Sequence, residues 1–111
     1  MEITRIDDAQ TYEAPKHFNM TARRLQGLEA SGATSCSVGF SVFEPGGGCE
    51  RDATPFEKIY VVLSGEIVVT VDEGSFTLKK HDSCRIEPNE ERSMLNESDT
   101  PAELLVVIPA N

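Results

Sequence analysis

Asp52, Thr54, Lys58, Tyr60 and Arg92 are all even-numbered, in a stretch that reads as strands. Side chains alternate between the two faces of a strand, so one face would carry a carboxylate, a hydroxyl, a phenol and two cations. A guanidinium offers a rigid fork of donors and an ammonium a compact point charge. Set at the mouth of an apolar cup, the two suit an organic anion. A carboxylate would take a two-point contact from Arg92 and a charge contact from Lys58. A charge buried alone is costly, so Asp52 is expected to pair with Lys58 or Arg92, leaving one cation free. Lys58 beside Arg92 could also act as a base, or form a Schiff base with a carbonyl substrate. Phe40 and Met94 share the parity and are expected to line the ligand space. The plainer alternative is a structural ion network of Asp52, Lys58 and Arg92 plugging the interior.

The other reactive groups carry weaker signals. His17 lies near Phe18 and Met20 in a polar N-terminal segment, where a surface or packing role is expected over one at the pocket mouth. His81 occupies a turn. Cys36, Cys49 and Cys84 are odd in number and contain no CxxC pair, which fits reduced, structural thiols. Cys49 has odd parity and reads as a packed or solvent-edge thiol. Glu87, Glu90, Glu91, Glu97 and Asp99 read as a solvated face, because no loop spaces them as calcium requires.

The elements that must position these groups are strands. Val38, Phe40, Val42, Tyr60, Val62, Phe76, Leu78, Cys84, Ile86, Met94, Leu104, Val106 and Ile108 put the even side toward a core. A bulge near Pro55-Phe56-Glu57 would turn Glu57 inward in place of Lys58. Short strands between turn signals such as Ser64-Gly65 and Asp72-Glu73-Gly74 indicate an all-β sandwich or barrel. Residues 1–26 read as an arm with one or two short strands, and 27–111 as the barrel, in one domain. At 111 residues and 12.2 kDa, with 39% hydrophobic and 26% charged residues, the composition is that of a globular domain. Ten basic residues against 19 acidic give a net charge of −9, which opposes binding to nucleic acid or an anionic membrane. The first ten residues have neither a basic nor an apolar signal segment, so a cytoplasmic location is expected.

From Phe43 to Pro109 the chain resembles the cupin superfamily. The segment GGGCERDATPFEKIYVVLSGE follows the frame of the first cupin motif, G-x5-H-x-H-x3-4-E-x6-G, and HDSCRIEPNEERSMLN follows the second, G-x5-P-x-G-x2-H-x3-N. The resemblance implies a double-stranded β-helix barrel of the jelly-roll type, with Asp82, Pro88 and Asn96 kept as structural markers. It also implies a metal held by three histidines and a glutamate, but those positions fall on Asp52, Thr54, Arg92 and Lys58, and the second motif's glycine on Glu90. A divalent cation about 4 Å from one fixed positive charge is repelled by roughly 8 kcal/mol at an effective dielectric of 20. The expectation is therefore a cupin-like protein without cofactor or metal that binds a small carboxylate-type ligand, as an isomerase or lyase if it is an enzyme. Two alternatives stand beside it: a metal-dependent cupin using Glu50, Asp52, Glu57 and His17, and a non-catalytic regulatory or interaction module. The resemblance also implies pairing into a homodimer through the arm.

Overall fold

A computed structural model describes residues 1–110. After a 3-10 turn at Ile6–Asp8 come nine strands: β1 (Thr11–Tyr12), β2 (His17–Gln26), β3 (Cys36–Asp52), β4 (Lys58–Ser64), β5 (Glu66–Val71), β6 (Gly74–Lys79), β7 (Ser83–Ile86), β8 (Arg92–Leu95) and β9 (Ala102–Pro109). The hydrogen-bonded order is β6-β5-β8-β3-β9-β4-β7, with β2 also on β3 and β1 on β2. All pairings are antiparallel, and the sheet nearly closes into a barrel. The jelly-roll expectation is met.

β3 holds the barrel together. At 17 residues it is the longest strand; its first half pairs with β9 and its second half with β8. Two sheet halves therefore face each other across one core, whose fully buried members include Phe43, Val62, Ile67 and Leu104. Asn96, also fully buried, is a polar staple within it. Its amide nitrogen donates to the carbonyls of Phe43 and Thr100 at 2.9 and 2.8 Å, and its amide oxygen accepts from the Ser98 N–H and hydroxyl. The end of β8 is thereby tied to β3 and to the loop entering β9, with no side-chain polar atom left unpaired.

The alternation holds in four strands and fails in β3. Tyr60, Val62, Ile86, Met94, Leu104 and Val106 point inward as expected. In β3 the inward residues are Gly39, Ser41, Phe43 and Cys49, while Val38, Phe40 and Val42 are only half-buried. Register gives the reason. Directly opposed residues of an antiparallel pair share a face, and Ser41 opposes Leu104 while Cys49 opposes Met94. The bulge falls between Cys49 and Asp52, where β3 spends one more residue than β8 spends from Met94 to Arg92. That extra residue restores even parity, so Asp52 lies across from Arg92. Phe76 opposes Val69 but is 53% exposed, because β6 ends the strand path and nothing covers that part of it.

Gly48 marks the closest approach of β3 and β8. A Cβ there would lie 2.0 Å from the Met94 carbonyl oxygen, which is main chain and cannot swing aside. Gly48→Ala should cost about 2–3 kcal/mol, seen as a lower urea midpoint. A midpoint equal to the parent's would show that this approach is not the constraint described.

Candidate functional site

A cavity of about 590 Å³ opens between the sheet halves. β4 contributes Lys58 and Tyr60, β8 contributes Arg92, the end of β3 contributes Asp52, and the loop after it contributes Thr54. Its back wall is formed by Phe43, Ser41 and Val106. The small inward residues of β3 leave this space open, and the N-terminal segment closes part of it. Tyr12 reaches the inner face of β3, so that a Cβ on Gly39 would lie 2.8 Å from the Tyr12 hydroxyl and 3.0 Å from Val106 Cγ1. The Tyr12 ring is in turn covered by the Arg24 guanidinium at 3.7 Å, a cation–π contact.

Arg92 is 4% exposed. Its Nε donates to the Tyr60 hydroxyl at a long 3.4 Å. No buried side-chain polar atom lacks a partner among the described residues, and Arg92 makes no other side-chain hydrogen bond there. Its terminal nitrogens must therefore reach the cavity. Lys58 stands close enough that burial, with Arg92 next, lowers its pKa. Neither cation has a carboxylate within 4.0 Å among the described residues.

The expected pairing of Asp52 with Lys58 or Arg92 is not observed. Lys16, from the turn before β2, takes Asp52 at 3.3 Å and, with the Ala53 backbone N–H, lowers its pKa. Both barrel cations are thus left without an ionic partner, not one. Glu13 also lines the cavity but pairs with neither. Lys58 faces the cavity, whereas Glu57 is bonded to Arg85 outside it. Phe40 does not line the cavity, because it lies on the opposite face of β3 from Ser41. Met94 is buried in the core beyond Arg92 and does not line it either.

His17 sits at the site, against the expectation of a peripheral role. It opposes Cys49 across the β2–β3 ladder, and its ring lies 6.3 Å from that of Phe43. Nδ1 is 2.8 Å from the Pro15 carbonyl oxygen, which can only accept. The proton of the neutral ring is therefore on Nδ1, and Nε2 keeps its lone pair. Burial lowers the His17 pKa, and the charges of Arg92 and Lys58 lower it further. Cys49 is a buried thiol whose pKa is raised by burial. Tyr12 and Glu13 were not singled out by sequence reasoning, since nothing in the polar segment around the two-residue β1 signals that it folds over a cavity.

Fold and site together define a small β-barrel with a cation-lined cavity. The family model for the cupin domain matches residues 39–108, and the chain belongs to that family. It is 44% identical over 108 residues to a protein of Mycobacterium tuberculosis named beta-D-galactosidase, covering 97% of this chain and 93% of that one. The polyketide cyclase RemF of Streptomyces resistomycificus superposes with a TM-score of 0.88 at 19% identity, over 100% of this chain and 80% of its own. An RmlC-like cupin from Shewanella frigidimarina gives 0.81 at 14%, over 100% and 92%. Those two likenesses show the fold alone.

The metal that cupins commonly hold does not fit these residues. Among those described, no three His, Cys, Asp or Glu side chains converge to hold an ion. Glu50 is exposed, Glu57 is engaged with Arg85 and Asp52 with Lys16, so the atypical ligand set does not assemble.

A lowered imidazole pKa means that the unfolded chain binds the proton more readily than the folded one. Stability from neutral His17 is full above about pH 6.5 and declines as pH falls through that value. His17→Gln should shrink the drop in Tm between about pH 7.5 and about pH 5.5. A profile identical to the parent's would remove His17 from the half-buried, neutral role.

Proposed function

We propose that this cupin binds a small organic anion in its barrel without a metal, with Arg92 and Lys58 as the anchor. The observation that carries this reading is the pair of inward cations, both lacking a carboxylate partner, inside a chain whose net charge is −9. Two like charges close together and partly withdrawn from water repel, and an anion between them relieves both that repulsion and their lost hydration. A carboxylate fits the terminal nitrogens of Arg92 as a fork, and Lys58 adds charge from the facing sheet half.

The arrangement also supplies a base. His17 is held in one tautomer by Pro15 and kept neutral by burial, so Nε2 can take a proton from a ligand anchored on the cations. Proton abstraction beside a carboxylate or carbonyl is chemistry of the isomerase and lyase class, and the cations would stabilise the charge that develops. The name of the mycobacterial relative favours a second reading, a neutral β-galactoside as substrate. Glycoside hydrolysis calls for two carboxyl groups, one with a raised pKa. The cavity lining holds Asp52 and Glu13, but Asp52 is engaged with Lys16 and the two inward cations lack a carboxylate partner among the described residues, which favours the anion.

Thermal shift with a panel of small carboxylates and their neutral amides separates these readings. Carboxylates should raise Tm and amides should not, with no change after EDTA treatment. Arg92→Gln and Lys58→Met should each weaken binding at least tenfold, an effect of about 1.4 kcal/mol. Stabilisation and turnover of neutral β-galactosides, with no response to any carboxylate, would overturn the proposal.

A further inference from the structure

We infer that the anion carries an apolar body: the ligand is an aryl- or alkyl-carboxylate, not a polyhydroxylated acid. The inference rests on the anion reading and adds its substrate class. Three observations carry it.

The first is how the lining divides. Charge is densest where β3 ends and β4 begins, on Asp52, Lys58 and Arg92 with His17 near them, while Glu13 and Arg24 line the N-terminal side. Away from that cluster lie Ile108, Pro109 and Cys36, at the ends of β9 and β3 that pair with each other, while Phe43 and its ladder partner Met20 add carbon beside His17. No Asn, Gln or Trp lines the cavity. A sugar acid would bring several hydroxyls that need paired donors and acceptors in place of water, and beyond the charged end the wall offers a few hydroxyls, such as Ser37, Ser41 and Tyr12, on a surface that is mostly carbon.

The second is the rim. Leu28 is 67% exposed, and Phe56 is 39% exposed on a different loop; both border the cavity. Leu28 is also held at φ 50°, in the left-handed region that a bulky side chain rarely adopts. The loop thus spends backbone strain on a leucine that gains little from the protein's own core. An apolar ligand body lying between Leu28 and Phe56 would cover both.

The third is size. A volume of about 590 Å³ is that of a pocket for a molecule much larger than a lone carboxylate head. Once the head is seated on Arg92 and Lys58, most of the remaining space faces carbon.

Isothermal titration of the full chain with acetate, butanoate, hexanoate, octanoate, 3-phenylpropanoate, D-galacturonate and 1-octanol tests the inference. Affinity should rise roughly threefold to fourfold for each methylene buried, and octanoate and 3-phenylpropanoate should outbind galacturonate at least tenfold. Leu28→Ser and Phe56→Ser, both at exposed positions that leave the core intact and add no charge, should weaken octanoate several-fold and acetate much less. Arg92→Gln should weaken every acid. If galacturonate binds as tightly as octanoate and still depends on Arg92, this inference falls and the anion reading stands. If no acid binds, or if 1-octanol binds as tightly as octanoate, the anion reading itself falls and this inference with it.

Discussion

A guanidinium almost wholly removed from bulk water, with no carboxylate at hand, is the constraint around which this barrel is arranged. Desolvating such a group costs several kcal/mol unless hydrogen bonds or counter-charges offset it. Among the described residues, Arg92 has the phenol of Tyr60 and the more distant field of Asp52. The charge nearest in kind, Lys58, makes matters worse. Where Lys16 sits is therefore consequential. By drawing Asp52 toward the N-terminal turn, it keeps the one carboxylate opposite Arg92 from neutralising it. The result is a locally positive cavity in a strongly acidic protein, and field lines in a low-dielectric cleft concentrate that difference.

The cavity itself is made by what β3 omits. Ser37, Gly39 and Ser41 put almost no volume on the inner face, just where Ile108, Val106 and Leu104 stand opposite. A uniformly large inner face would have filled the barrel, as Phe43 and the neighbouring core do further along. One extra residue at the bulge then changes which face Asp52 presents, so the same strand leaves open space beside small residues in one half and builds an acidic edge in the other. The N-terminal segment completes the enclosure with Tyr12 and His17. Its strand β2 runs ten residues along β3, much more than an arm of short strands would provide.

Most of the architecture was legible because turn residues and β-branched runs act locally. Ile67-Val68-Val69 beside Gly65, or Ala102–Pro109 as a closing strand, require little knowledge of their neighbours. The inner face of β3 was not legible by the same means. Its even positions are the more apolar, and alternation alone assigns them to the core. Only the pairing of Ser41 with Leu104 shows otherwise, and pairing is a long-range property. Phe40 was misassigned for that reason, and Met94 because inward parity does not distinguish core from cavity wall. Lys58, Tyr60 and Arg92 were recoverable, since β4 and β8 are short, regular and flanked by clear turns. His17 was not, because its importance comes from a fold-back contact between distant segments.

The replacement of metal ligands by cations changes what the scaffold can do more than where it binds. A divalent ion and a guanidinium both present positive charge to an oxyanion. The ion has open coordination positions that substrates and water exchange through, whereas Arg92 offers fixed, directional N–H groups and cannot be deprotonated. Binding to such a site selects for the planar, two-oxygen geometry of a carboxylate and leaves proton movement to a separate group. In the proposed reading His17 fits that role because its tautomer is fixed by the Pro15 carbonyl and not by a metal, and because burial, with the charges of Arg92 and Lys58, keeps the imidazole neutral. In that reading, anion anchor and base are therefore coupled. Filling the site with negative charge would raise the His17 pKa toward its ordinary value and make the ring a better proton acceptor when a ligand is present to donate one.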